Sequence, residues 1–110
     1  MAGKYVLKKA TDGQFMFNLK AGNGETILTS ERYRAKQGAL NGIQSCKTNS
    51  GSNSNYEKRS GASGRYHFVL KAMNHEIIGT SEQYSSEAAR DNGIASCMTN
   101  GPGAVTDDQA

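Results

Sequence analysis

The chain lacks several residue types on which common activities depend. Its 110 residues include no tryptophan, one proline, two cysteines and two histidines. The cysteines lie far apart rather than in a Cys-x-x-Cys spacing, which favours small core residues over a metal or redox site. No apolar run approaches the roughly 20 residues that a membrane helix needs, and no apolar signal segment follows the first lysine. We therefore expect a cytoplasmic protein without a metal or cofactor.

The composition is that of one soluble domain. Hydrophobic residues make up 35% and charged residues 21% of the sequence, and the formal net charge is +3. A chain of this length buries roughly two thirds of the surface that its unfolded form exposes, which is enough for one core but not for two. The mild positive charge permits an anionic partner without requiring one.

A phrase of nine residues occurs twice. Residues 41–49 read NGIQSCKTN and residues 92–100 read NGIASCMTN, and half of the positions from 13 to 50 are identical to the residue 51 places later. This pattern indicates a tandem duplication. We place all of residues 1–110 in a single domain, with repeats at about 3–50 and 54–108. A flexible linker is expected at about 48–55 and a disordered tail at about 107–110.

Each copy changes its hydrophobic period once. Strict alternation predicts a strand at residues 15–21 and 66–72, with a shorter strand before it and another after the turn at Asn23 or Asn74. A spacing of three and four then predicts helices at residues 34–47 and 85–98. Gly42 and Gly93 fall on the packed stripe of these helices, which favours close approach to a sheet. The asparagine that ends each phrase predicts a left-handed C-terminal cap.

The motif that carries a family resemblance is F-x-L-K-A-x-N-G-E-x-I-x-x-S-E-x-Y at residues 17–33, followed by Gly42-Ile43-x-Ser45. Residues 68–84 and then 93–96 match it in the second copy. Over about residues 3–108 the chain resembles the YegP-like family of small bacterial proteins in its tandem form. The resemblance implies an α+β fold of two strand-strand-strand-helix-strand repeats. These would share a single antiparallel sheet with two helices on one face, pseudo-two-fold symmetry and exchanged C-terminal strands. It implies no activity and no site residues.

The sheet face away from the helices is predicted to be open and basic. Its candidate anion-binding residues are Lys8, Lys20, Arg59, Arg65, His67 and Lys71. Of these residues only His67 could stack on a base. We therefore favour a solvated face that binds no ligand over a face that binds nucleic acid. A homo-oligomer contact through Met16, Val69 and Val6 is a further alternative.

Glutamate is kept in both copies at two positions, Glu25 with Glu76 and Glu31 with Glu82. They are the only duplicated candidates for acid or base chemistry. The pairs Ser30-Glu31 and Ser81-Glu82 lie just ahead of a tyrosine and of the predicted helix, and we favour helix capping over a carboxylate–phenol site there.

These observations favour a non-enzymatic binding or interaction module with no catalytic residues. The alternatives are an anion or nucleic-acid binder acting through the open sheet face, and a small-ligand enzyme that uses the repeated glutamates. A protein partner or a second copy of the chain remains open, and no membrane association is expected.

Overall fold

The computed structural model describes residues 3–61 and 64–110, which form seven strands and two α-helices. Alternating apolar residues give the strands, and the stripe of small residues gives the helices. In chain order the elements are β1 (Lys4–Lys9), β2 (Phe15–Lys20), β3 (Thr26–Ser30), α1 (Lys36–Asn49), β4 (Tyr56–Ser60), β5 (Tyr66–Lys71), β6 (Ile77–Ser81), α2 (Glu87–Asn100) and β7 (Val105–Asp108).

The seven strands form a single sheet in the order β4-β5-β6-β3-β2-β1-β7. The two repeats meet where β3 and β6 pair antiparallel, with Thr29 opposite Thr80. This confirms the predicted α+β fold with a shared sheet. β7 of the second repeat joins β1 of the first in parallel, so the sheet is mixed rather than wholly antiparallel. The chain leaves α2 beside the start of β1, where the Tyr5 hydroxyl donates to the Gly101 carbonyl (2.8 Å). β7 therefore runs in the same direction as β1.

The last strand also corrects the predicted disordered tail at about 107–110. Asp107 and Asp108 belong to β7 and form ion pairs with Lys4 (3.4 Å) and Lys36 (2.8 Å). The Gln109 backbone N–H then donates to the Leu7 carbonyl (2.8 Å). The acidic residues resembled a solvated tail because their lysine partners lie far away in sequence.

Both helices begin two residues later than predicted, and their ends differ from the prediction. Ser86 caps α2 by accepting from the Ala89 N–H, whereas Ala35 at the same place in α1 makes no side-chain cap. The residues after the helices, Ser50 and Gly101, have φ of −68° and −58°, so neither C-terminus uses a left-handed cap.

The asparagine that ends each helix has a different role from the predicted cap. The Asn49 amide donates to the Ser45 carbonyl one turn earlier (2.8 Å), and Asn100 does the same to Ser96 (2.9 Å). The region 48–55, predicted as a linker, begins inside α1 and ends in a 3-10 turn at Asn53–Asn55.

The core lies between the sheet and the two helices, as the alternation predicts. Phe17 and Phe68 are fully buried, and Ile43 and Ile94 of the helices are each 3% exposed. Tyr5 packs edge-on against Phe17 at a ring separation of 5.8 Å, and the second repeat has the same arrangement. Full burial of one such aromatic side chain contributes about 2–3 kcal/mol, so this layer dominates the stability of the fold.

Candidate functional site

Each helix faces the β-hairpin of the other repeat, and a small cleft lies between them. The first cleft, called the Tyr33 cleft, lies between α1 and the hairpin that joins β5 to β6 and has a volume of ≈ 220 Å³. Its lining residues are Tyr33, Gly38, Asn41, Gly42, Ser45, Ala72, Asn74, Glu76, Ile77 and Ile78.

The second cleft, the Tyr84 cleft, has the corresponding place between α2 and the hairpin that joins β2 to β3, with a volume of ≈ 200 Å³. Its lining residues are Ala21, Asn23, Glu25, Thr26, Ile27, Tyr84, Ala89, Asn92, Gly93 and Ser96. After a shift of 51 residues the ten positions of one lining correspond to the ten of the other, and eight of them carry the same residue. They differ only where Ala89 replaces Gly38 and Thr26 replaces Ile77. The repeated Asn-Gly-Ile-x-Ser phrase therefore supplies the helical wall of both clefts.

The tyrosine of each cleft is held rigidly. The Tyr33 ring stacks on Phe17 at 6.4 Å and 10°, and its backbone exchanges two hydrogen bonds with Phe15 (2.7 and 2.8 Å). The hydroxyl lies over Gly42, where an added Cβ would be 2.4 Å from it. Tyr84 has the same relation to Phe68 and Gly93. Glycine is thus needed so that the phenol can lie against the helix.

The tyrosine hydroxyls remain available for a ligand. Within residues 3–61 and 64–110 neither hydroxyl has a side-chain or backbone hydrogen-bond partner. Burial raises the pKa of the Tyr33 phenol, and nearby negative groups, including Glu31 and Glu76, raise it further. Burial likewise raises the pKa of Tyr84, with Glu82 and Glu25 adding to the shift. Both phenols are therefore neutral near pH 7 and can donate or accept a hydrogen bond.

The glutamate of each cleft is positioned by a tight turn in the hairpin. The Asn74 side-chain oxygen accepts from the Glu76 N–H (3.1 Å), and Asn23 accepts from Glu25 (3.0 Å). The residue between them adopts a left-handed conformation, with φ of 88° at Gly24 and 69° at His75. Histidine is uncommon in this region but several-fold enriched over most residues there, so the turn is kept in the second copy.

The predicted role of the Ser-Glu pairs is not the one observed. Ser30 Oγ accepts from the buried Phe17 N–H (2.9 Å) and donates to the Glu31 carbonyl (2.7 Å), so it joins β3 to β2 and caps no helix. Ser81 does the same in the second repeat. The Glu31 side chain is exposed and is not among the lining residues. The glutamate that lines each cleft, Glu76 or Glu25, comes from the other repeat.

The six predicted anion-binding residues are not brought together as one patch. Lys8 and Lys20 lie on β1 and β2, whereas Arg59, His67 and Lys71 lie on β4 and β5. Arg65 is exposed just before β5. The strands β6 and β3 separate the two groups, a gap of about 14 Å at the usual strand spacing.

The charge of this face is also partly neutralised. Glu57 accepts hydrogen bonds from Lys71 (2.9 Å) and from Arg59. Val6 and Val69, proposed for a homo-oligomer contact, are 4% and 1% exposed and offer little surface. Anion binding and self-association on this face remain predictions.

The two cysteines are inert core residues in this fold. Both are fully buried and free, and burial raises the pKa of each thiol to about 12. In the described part of the chain, no three His, Cys, Asp or Glu side chains are grouped so that they could hold a metal ion. Among the same residues, neither helix has the length and hydrophobicity to span a bilayer.

A further cavity of ≈ 540 Å³ lies at the β4 edge of the sheet and includes Tyr56, Glu57, Lys71 and Met73 in its lining. Its counterpart at the other edge is lined partly by Val105 of β7. That corresponding cavity still has a volume of ≈ 440 Å³, so β7 borders it without filling it. The lining of these edge cavities differs between the repeats, unlike that of the two clefts.

The fold places the chain among duplicated α+β proteins, in which each helix forms a cleft with the other repeat's hairpin. The chain belongs to the family described as domain of unknown function (DUF1508), whose model matches it twice, at residues 10–57 and 62–108. This confirms the YegP-like resemblance.

Relatives from two bacteria illustrate the family. A UPF0339 protein of Shewanella oneidensis is 57% identical over 101 residues, and the UPF0339 protein YegP of Escherichia coli (strain K12) is 52% identical over 101 residues. In each case the match covers 92% of both chains.

The fold is shared with solved structures of the family. The solution NMR structure of the E. coli protein of unknown function YegP has a TM-score of 0.93 at 49% identity, covering 99% of this chain and 94% of that one. The NMR structure of a S. oneidensis UPF0339 protein has a TM-score of 0.92 at 55% identity, covering 98% and 92%.

Proposed function

We propose that this protein is a non-enzymatic binding module that holds a small polar ligand in each of its two inter-repeat clefts. The observation that carries the proposal is the duplication of the site itself, since the two linings match at all but two positions. Packing explains the glycine and the isoleucine in each lining. The hairpin turn explains Asn74 and Asn23. Neither explains why a phenol, a helical asparagine (Asn41 or Asn92) and a carboxylate recur around the same small space, whereas ligand binding does.

Binding is favoured over catalysis because the only ionisable groups of each lining are a rim carboxylate and a phenol with a raised pKa. A neutral phenol and an exposed carboxylate orient a ligand well, but they offer no activated nucleophile. The clefts are favoured over the basic sheet face because the positive groups there lie apart and two of them are paired with Glu57. We place the protein in the cytoplasm, where reducing conditions suit two free buried thiols.

The test is a screen of small polar compounds by NMR against the 15N-labelled protein, followed by a variant that blocks both clefts. Asn41 and Asn92 are exposed and line the clefts, so Asn41→Trp with Asn92→Trp should fill the entrances without disturbing the core. Because the chain has no tryptophan, each new residue also reports folding by fluorescence.

The matched control is Gln44→Trp with Ala95→Trp. These exposed positions lie one helical turn further along and line neither cleft. We expect compounds that shift Gly42 and Gly93 signals to bind the control pair and to lose at least tenfold in affinity for the blocking pair. The proposal fails if no compound shifts these signals, or if the blocking pair binds as the control does.

A further inference from the structure

We infer that the ligand of both clefts is a small amine, held by its ammonium group between the hairpin glutamate and the tyrosine hydroxyl. This inference rests on the proposed function and names the chemistry of the same site. It follows from the charge of the clefts, from their unpartnered polar groups and from their apolar floor.

The charge of the clefts is negative. Neither lining contains a lysine, arginine or histidine, and each contains one glutamate. Within the described residues the ion pairs of this chain use Asp12, Glu57, Asp91, Asp107 and Asp108 as acids. Glu25 and Glu76 have no such partner there, although basic residues outnumber acidic ones in the sequence. Glu31, Glu82 and Glu87 also have no ion pair in the described residues, but only Glu25 and Glu76 line a cleft, where a cation from solution can contact both the carboxylate and the phenol.

The tyrosine supplies the second contact. An ammonium group has three donors and no acceptor. A carboxylate and a phenol oxygen can accept two of these donors, and the side-chain oxygens of the helix can accept the third. The Ser45 hydroxyl lines the Tyr33 cleft, and Ser96 lines the other. All these side chains recur in both repeats, so both clefts offer the same set of acceptors.

The floor of each cleft suits a short carbon chain. Ile78 and Ala72 line the Tyr33 cleft and Ile27 and Ala21 line the Tyr84 cleft, and both isoleucines are buried. The volumes of ≈ 220 and ≈ 200 Å³ fall below the range typical of drug-sized ligands. A metal ion fits less well, because a single carboxylate and neutral oxygens give too few charged ligands for tight binding of a hard cation.

The experiment compares three probes of the same size: n-butylammonium, butyramide and butyrate. Each is titrated at pH 7 and low salt into the 15N-labelled full chain, and the Gly42 and Gly93 amides and the Asn41 and Asn92 side chains are followed. We expect saturable shifts with butylammonium, at least tenfold weaker binding of butyramide and none of butyrate. A lysine tripeptide with blocked ends is included to learn whether the amine is a free molecule or a protein side chain. Binding of either supports the ammonium chemistry.

The variants are Glu25→Gln with Glu76→Gln, and the control is Glu87→Gln. Glu87 is exposed, lines neither cleft and has no ion pair in the described residues. We expect the first pair to weaken butylammonium binding at least tenfold and the control to change it less than twofold, with thermal unfolding used to verify that both fold.

The outcomes separate the two proposals. If butyramide or butyrate binds the clefts as tightly as butylammonium, or if the glutamine pair keeps full affinity, the amine is refuted while a binding module remains. If neither these probes nor the compounds of the wider screen shift the lining residues, both proposals fail.

Discussion

Replacing Gly42 by alanine should destabilise the protein even though alanine is the better helix former. An added Cβ would lie 2.4 Å from the Tyr33 hydroxyl oxygen, 2.8 Å from Cζ and 3.1 Å from Phe17 Cε2. The ring cannot turn aside, because it is stacked on Phe17 and its backbone is bonded to Phe15. Overpacking of this kind costs about 1–3 kcal/mol, whereas the gain in helix propensity is up to about 1 kcal/mol. We expect a net loss of about 1 kcal/mol, which lowers Tm by roughly 4 °C in a domain of this size.

Two further variants make this prediction specific. Gly38→Ala on the same helix brings Cβ only to 3.3 Å from the Tyr33 ring, and Ala89 already occupies that place in the second repeat. The contact is tight, but an alanine is accommodated at the same place beside Tyr84, so this variant should lose much less stability than Gly42→Ala. Adding Tyr33→Phe to Gly42→Ala removes the nearest clashing atom and should restore part of the loss. The measurement is urea unfolding followed by circular dichroism. Equal or greater stability of Gly42→Ala, or no relief from Tyr33→Phe, would refute the close packing described here.

Three more outcomes test other contacts. Ser30→Ala leaves the buried Phe17 N–H without its acceptor and should cost about 1–3 kcal/mol in urea unfolding, whereas the exposed Ser52→Ala should be neutral. Burial raises the pKa of both thiols to about 12. At pH 8 they should therefore react with a thiol reagent roughly a thousandfold more slowly in the folded protein than in urea. Fast labelling of the folded protein would contradict their burial. Hydrogen bonds from Lys36 and the Ala110 N–H lower the pKa of Asp108. The contribution of Asp108 to the stability of the fold is therefore complete above the usual carboxyl pKa, and it disappears as the pH falls through the lowered value. Lys36→Gln should raise the pKa of Asp108 towards the usual value in an NMR titration, and an unchanged value would refute the ion pair.

The fold could be predicted from the sequence because periodicity and duplication support each other. The strands β1 to β6 and both helices are indicated twice, at positions 51 residues apart, and the packed faces of Phe17 and Ile43 follow from the spacing alone. The helix starts were harder to place. Residues 34 and 35 continue the small, polar composition of α1 although Ala35 is extended. The direction of β7 depends on contacts between the two ends of the chain, which no local pattern contains.

The clefts could not be predicted by looking within one repeat. The sequence places Glu31 beside Tyr33, yet Glu76, 43 residues away in the chain, lines the cleft. A signal was nevertheless present, because Asn23, Glu25, Asn41 and Ser45 all recur 51 residues later although none is a core hydrophobe. Polar residues kept in both copies without a packing reason indicate a shared surface site, but their pairing across the repeats requires the topology of the sheet.

In the part of the chain that the structure describes, the strand β1 of the first repeat is covered by another strand, whereas the equivalent strand β4 of the second repeat is not. In the described residues β1 is covered by β7, whereas β4 is the outermost strand at the opposite edge. Where the covered strand has Leu7 and Lys8, β4 has Lys58 and Arg59. A repeat that ends in a bare strand could in principle recruit further molecules one after another into a growing filament. Charged side chains at this edge disfavour each such addition.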